Sequence, residues 1–332
     1  YKIVCTEPKY SKPIVYYRGK DAGVKFIEEL LKEQDEIMKT LYEVNKQITL
    51  SEIDKVNHKN ATKCYLCDGE FTEEDYKVRD HHHLSGVYRG PAHLSCNGKA
   101  SKQKFIPVLF HNLKNYDGHL ILANLPDSIE SENINCIAQN QEKYMSFTIK
   151  KLRFLDSFQF MAESLSNLTD NLKKSGIDKF KYTTEVFKDK TELMLRKGVY
   201  FYEYADCFEV FDEKEMPKYE DFYSSLEDTN ISQDDFEHMV NVWNQMKMKT
   251  KGDYHDLYLK SDVLLLTDIF ENFRSFCIKT YSLDPAHYYT LPGFAWDALL
   301  KMSKVELELL SDVDKFQFFE ASKRGGISVI TT

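Results

Sequence analysis

Apolar positions recur at helical spacing through "DAGVKFIEELLKEQDEIMKTLYEVNK", which predicts a long helix from about Asp21. Ahead of it, residues 2–5 and the run "PIVYY" at 13–17 read as strands, and "TLSEIDKVNHKN" reads as a shorter capped helix. From Cys64 to about Lys104 the periodicity fades into Gly, His and Lys, so this stretch needs a source of stability other than a conventional core. Strand character resumes at "KFIPVLFHN", a short helix follows in "DGHLILANL", and strand-like runs recur at 133–139, 145–150 and 152–158. "MAESLSNLTDNLKK" is helical, and an irregular acidic stretch then continues to about 231. Helices return in "SQDDFEHMVNVWNQMK" and in the strongly apolar "DYHDLYLKSDVLLLTDIFENFRSFCIKTY", with two more expected after "SLDPAHYY". There is no internal repeat and no low-complexity tract. The pattern is an α/β domain interrupted by a small polar insert.

The length of 332 residues suits about two domains, and 42% hydrophobic with 29% charged residues excludes a disordered chain. No apolar run approaches the roughly 18 residues that span a bilayer, and no signal-peptide pattern opens the chain, so no membrane partner is expected. The first residue is Tyr1, and "YKIVC" reads as a strand already under way, as in a segment of a longer protein. Seven cysteines without a secretory signal point to a reducing intracellular compartment, nucleus or cytoplasm, rather than to a disulfide framework. Of these, Cys5, Cys136, Cys207 and Cys277 lie among apolar neighbours and are expected to be buried thiols. The net charge of −9 argues against polyanion binding by the whole surface. The charge is uneven, however: Lys77, Arg79, Arg89, Lys99, Lys102 and Lys104 face only Asp80 in that interval, while acids dominate between Glu203 and Glu237. The basic island is a candidate DNA contact, and the acidic stretch a solvated face or partner surface.

Cys64-x-x-Cys67 and His93-x-x-Cys96 are two ligand pairs at the separation a tetrahedral structural zinc requires. Such a site contributes apparent binding energies on the order of 10–16 kcal/mol, enough to replace the missing core. Unrelated cysteines beside a His-rich loop would not be expected to share one spacing. Between the pairs lies Asp80-His81-His82-His83. A carboxylate beside imidazoles and basic residues suits phosphodiester hydrolysis: one imidazole takes a proton from water, while Asp80 and a second ligand hold Mg²⁺ at the scissile phosphate. Asn97, next to the last zinc ligand, is placed to complete the set.

Taken in order, Cys-x-x-Cys, Asp-His-x-His, Arg-Gly and ligand-x-x-Cys-Asn resemble the recombination endonuclease VII type of HNH nuclease, a treble-clef ββα-metal fold. The resemblance implies that His81 is the general base, that Asp80 and Asn97 are ligands of the catalytic metal, and that His83 is an accessory phosphate or metal contact. Arg89 joins them as a DNA contact. Two positions depart from the family: His82 stands where Asp is frequent, and His93 replaces a zinc-binding Cys. A zinc-stabilised DNA-binding knuckle without activity is the alternative.

Outside the insert, Asn112 and Asp117 lie between a strand and a helix, and Tyr258 and Asp262 fall four apart on one helix face. Each alone reads as an ordinary surface pair. Together they resemble motifs two and three of the 3′–5′ exonuclease of B-family DNA polymerases. "SLSNL", with Ser164 and Leu165, resembles the primer-strand motif of protein-primed members. "KGVY", from Lys197, resembles a short Lys motif, and "KRGGIS", with Arg324, Gly325 and Gly326, resembles the linker to the polymerase region. The resemblance implies a ribonuclease H-like exonuclease domain over 1–55 and 105–282, a zinc insert over 56–104, and a helical start of the polymerase region over 283–332. DNA and the rest of the polymerase chain would be its partners, and nucleotides the only small-molecule substrates of the intact enzyme, of the type encoded by self-replicating transposons, viruses and plasmids. Motif one, Asp-x-Glu, is absent upstream of Asp117, and "DFE" at Asp235–Glu237 comes too late in the chain to replace it. Little exonuclease and no polymerase activity is therefore expected of this segment. A freestanding HNH endonuclease on a relic scaffold and a non-enzymatic DNA-binding protein are the competing readings.

Overall fold

The amphipathic stretch after Asp21 forms helix α1 (Ala22–Glu43), whose inner stripe of Ile27, Leu30 and Gln34 is buried. Helix α2 (Glu52–Asn60) starts at a capping box in which Ser51 and Asp54 satisfy each other's backbone N–H groups. A two-stranded antiparallel hairpin, β1 (Lys77–His81) and β2 (Tyr88–His93), then runs directly into α3 (Leu94–Ala100). The computed structural model describes residues 1–100, 105–138 and 143–322.

The main sheet follows. Strand β3 (Ile106–Phe110) leads through α4 (Asp117–Ala123) to β4 (Ile134–Ala138), β5 (Tyr144–Ile149) and β6 (Leu152–Asp156). The strand order is β3-β6-β5-β4, with β3 parallel to β6 and the other pairs antiparallel. Phe147 and Phe154 are cross-strand partners whose rings stack at 4.5 Å, and Ile27, Leu30, Leu113 and Ile121 pack with them. The Gln34 side-chain oxygen accepts from Lys151 N–H at 2.8 Å, which fixes α1 on the β5–β6 turn. Four strands in this order make a mixed α/β sheet and do not by themselves amount to a ribonuclease H-like domain.

Helices α5 (Leu165–Lys174) and α6 (Lys181–Phe187) pack on the long α9 (Lys251–Tyr281), and α7 (Thr191–Met194) and α8 (Gln233–Gln245) share an apolar cluster with it through Met194, Met239 and Trp243. Buried Asp268 of α9 accepts from Tyr182 N–H, Thr183 N–H and the Thr183 hydroxyl, holding the start of α6. Helices α10 (Leu291–Ser303) and α11 (Val313–Ser322) close the described chain.

Three expectations need correcting. Residues 2–5 and 13–17 are extended but not strands: Tyr1–Val15 and Lys12–Ile3 backbone bonds join them without a regular ladder. The acidic stretch is not merely a solvated face, because Val210 and Phe222 enter the largest apolar cluster and Glu213 and Asp221 pair with buried Lys251. Among the four scattered cysteines only Cys277 is buried. Cys136 lies on edge strand β4 and Cys207 in a loop, and both are exposed, while Cys5 is intermediate. No helix among the described residues is long and apolar enough to cross a membrane.

Candidate metal centre and nuclease site

The two ligand pairs converge. One donor atom from each of Cys64, Cys67, His93 and Cys96 lies within 4.8 Å of all the others. His93 Nδ1 is 3.3 Å from Cys67 Sγ and 3.8 Å from Cys96 Sγ. A tetrahedral zinc with ordinary Zn–S and Zn–N bonds has ligand–ligand edges of about 3.5–3.8 Å, so the donor set and its spacing fit that ion. The first pair is presented by a tight knuckle: Cys64 N–H donates to Gly69 O, Asp68 N–H donates to Cys64 O, and Asp68 takes φ 59, a left-handed conformation Asp tolerates. The second pair spans the junction where β2 ends at His93 and α3 carries Cys96 in its first turn. His93 Nε2 lies 3.0 Å from Glu70 O, which as an acceptor requires the proton on Nε2 and frees Nδ1 for a metal. Burial pushes the Cys64 thiol up, but N–H groups of His93, Cys67 and Leu66 pointing at the sulfur outweigh it and bring the value down to about 6. The thiolate is the form that a metal binds.

On the other side of the hairpin, Asp80 of β1 is 1% exposed. Its Oδ2 accepts from the Tyr65 hydroxyl and lies 3.9 Å from Arg89 Nη1. Its Oδ1 has no partner. Asn97, on α3, has a buried Oδ1 in the same condition. Among the described residues five buried side-chain polar atoms lack a hydrogen-bond partner, and three of them belong to Asp80, Asn97 and Asp262, residues singled out in the sequence as candidate site residues. Native structures rarely leave such oxygens unpaired, and carboxylate and amide oxygens are donors that fit a hard divalent cation.

The β1–β2 register pairs Asp80 with Gly90 but His81 with Tyr88, an irregularity that re-aims the chain at His81. His81 Nε2 is 3.1 Å from Asn45 Oδ1, and the His81 and His83 rings lie 4.9 Å apart. His82 is engaged elsewhere, with Nδ1 3.0 Å from Ser85 Oγ; burial, then Arg89, holds its imidazole below the usual range. The basic island is thinner than its sequence. Lys77 Nζ donates to the carbonyls of His58, Lys59 and Ala61 and so caps α2, and Lys102 and Lys104 lie outside the described residues. Arg79, Arg89 and Lys99 remain exposed. Sequence reasoning missed Tyr65 and Asn45, which reach the site only through tertiary contacts.

In the main sheet, Asn112 takes φ 68 and donates its N–H to Asp156 Oδ1 at 2.8 Å, while Lys114 N–H donates to Asp156 Oδ2. Asp117 opens α4; burial, and secondarily the charge of Asp156, push its carboxyl up. Asp262 Oδ2 lies 3.9 Å from Lys197 Nζ, and burial raises that carboxyl to about 6. Tyr258 OH is 2.9 Å from Tyr202 OH, and burial followed by the Asp262 charge pushes the phenol up. His111 Nδ1 lies 2.9 Å from Ser157 Oγ and its Nε2 2.8 Å from Glu163 O, and burial holds its imidazole below the usual range. The Ser164 hydroxyl caps α5 by accepting from Asn167 N–H, and Leu165 is 7% exposed. Arg324, Gly325 and Gly326 lie outside the described residues.

Compared with known families, residues 38–116 match the recombination endonuclease VII family model. That interval contains the thiol–imidazole cluster, Asp80, His81, His83 and Asn97, begins inside α1 and ends one residue before Asp117. No curated protein and no solved structure matches the chain.

Proposed function

We propose that the 38–116 module is a metal-dependent DNA endonuclease of the HNH type, with zinc holding its fold and Mg²⁺ serving its chemistry. The observation that carries this reading is the pair of unpartnered buried oxygens, Asp80 Oδ1 and Asn97 Oδ1, within the interval that matches a nuclease family. Asp80 and Asn97 would hold the cation, which when bound offsets charge on the phosphate and on the leaving oxygen. His81, oriented by Asn45, takes the proton of the attacking water as the new P–O bond forms and the old one breaks. His83 and Arg89 contact phosphate oxygens flanking the scissile bond. The zinc ligands fix the end of β2 against α3, and so fix Asn97 one residue beyond Cys96. Exposed Arg79 and Lys99 extend the contact to the duplex backbone, which makes affinity fall steeply with salt.

The test is nicking of supercoiled plasmid with Mg²⁺. Replacing His81 by Ala should lower the rate by at least about 100-fold, the usual worth of a general base, in protein that keeps its zinc. Undiminished nicking by His81→Ala overturns the reading. Zinc-dependent folding with no cleavage in any divalent cation favours a purely DNA-binding module.

A second reading places exonuclease chemistry on the scaffold, in a ribonuclease H-like domain of a protein-primed B-family polymerase, with Asp117, Asp262 and Tyr258 at its site. The unpartnered Asp262 Oδ1 favours it. Trimming of 3′ ends that is lost in Asp262→Ala yet persists in His81→Ala would mark that site as separate from the module.

A further inference from the structure

The zinc knuckle reaches into the proposed cation site through a single side chain. Tyr65 directly follows Cys64, and its ring crosses β2 over Gly90, the residue paired with Asp80. A Cβ at Gly90 would stand 2.7 Å from ring atoms of Tyr65, so a side chain there would displace the ring. Across that gap the Tyr65 hydroxyl donates to Asp80 Oδ2. Backbone bonds hold Tyr65 in the same place, its N–H donating to Pro91 O at 2.9 Å. The remaining neighbour of Oδ2 is Arg89 Nη1, at 3.9 Å and so beyond a hydrogen bond.

We propose that Tyr65 is the positioning residue of the cation site: its hydrogen bond fixes the rotation of the Asp80 carboxylate so that Oδ1 faces the divalent cation beside Asn97. This rests on the endonuclease reading and deepens it. A carboxylate with one oxygen tied presents a single lone-pair face. Released, the same group can turn towards the guanidinium of Arg89, whose planar fork favours bidentate pairing and would draw both oxygens from the cation. Because Tyr65 stands between two zinc ligands, the structural ion and the catalytic ion are linked through one phenol. Partners of this kind behind a metal ligand are commonly worth 10–100-fold in affinity or activity.

The measurement is Mn²⁺ binding, followed by electron paramagnetic resonance of the free ion, with zinc content and melting recorded on the same preparations. Mn²⁺ binding by the wild-type chain should disappear in Asn97→Ala. Tyr65→Phe, which keeps the ring over Gly90, should retain its zinc and its melting temperature but bind Mn²⁺ about tenfold more weakly. Gly90→Ala, which displaces the intact phenol, should show a similar loss. Mn²⁺ affinity that is unchanged in either variant overturns the inference and leaves the endonuclease reading standing. A wild-type chain that binds no Mn²⁺ at Asn97 overturns both.

Discussion

Gly86 holds φ +79, and a Cβ on it would stand 2.5 Å from the backbone oxygen of Gln47. Both the left-handed backbone and the contact with a fixed carbonyl require glycine here. Gly86→Ala should therefore destabilise the hairpin by about 1–3 kcal/mol, read as a lower denaturant midpoint with little change in slope. The same position explains what single residues reveal before a structure is known. The thiol–imidazole cluster was legible because Cys64, Cys67, His93 and Cys96 declare themselves by two equal spacings. Tyr65 and Asn45 were not legible. Their roles depend on a ring lying over Gly90 and on a segment beyond α1 meeting the hairpin loop, neither of which leaves a local signal.

The hairpin and α3 contain few buried apolar side chains, chiefly Leu84 and Ala92. A core that small offsets little of the entropy of ordering these strands, and a zinc ion at the Cys–His cluster would supply the rest. Replacing Cys96 by Ser should abolish zinc retention and expose the amides of β1 and β2 to rapid hydrogen exchange, while the main sheet stays protected. Strong protection of β1 and β2 in zinc-free protein would refute this. The capped helix expected after Thr49 starts at the Ser51 capping box, whereas the long helix read from Asp253 starts earlier, at a capping box led by Thr250. The segments at 2–5 and 13–17 were misread because a β-rich composition does not supply a ladder partner. In the acidic stretch the charges hid Val210 and Phe222, which anchor it, and Lys251, which neutralises two of its acids.

Folding partly buries several imidazoles and disfavours their charged form. Burial lowers the His238 and His255 values below the unfolded one, and His255 also feels nearby Arg18, against which Asp256 acts. As pH falls through about 6.5 the unfolded chain takes up protons that these groups in the folded chain refuse, so stability present above that pH is lost below it. The melting temperature should drop between about pH 7.5 and pH 5.5, and His238→Gln with His255→Gln should flatten the slope. A slope unaltered by the pair would assign the acid sensitivity elsewhere. The mixed α/β class could be read from alternating strand and helix patterns, whereas the parallel β3–β6 pairing could not, because it joins strands separated by the whole β4–β5 hairpin.

The stretch from Asn45 to Thr49 is bound to the hairpin loop at three points: Asn45 to His81, Lys46 N–H to His83 O, and Thr49 N–H to Gly86 O. It leaves α1, whose opposite face is seated in the main sheet. The 38–116 stretch is thus tied to chain on both sides of residue 56. A fragment cut there would leave His81 without its contact to Asn45, and any tilt of α1 on the sheet would carry over to the angle of the His81 ring.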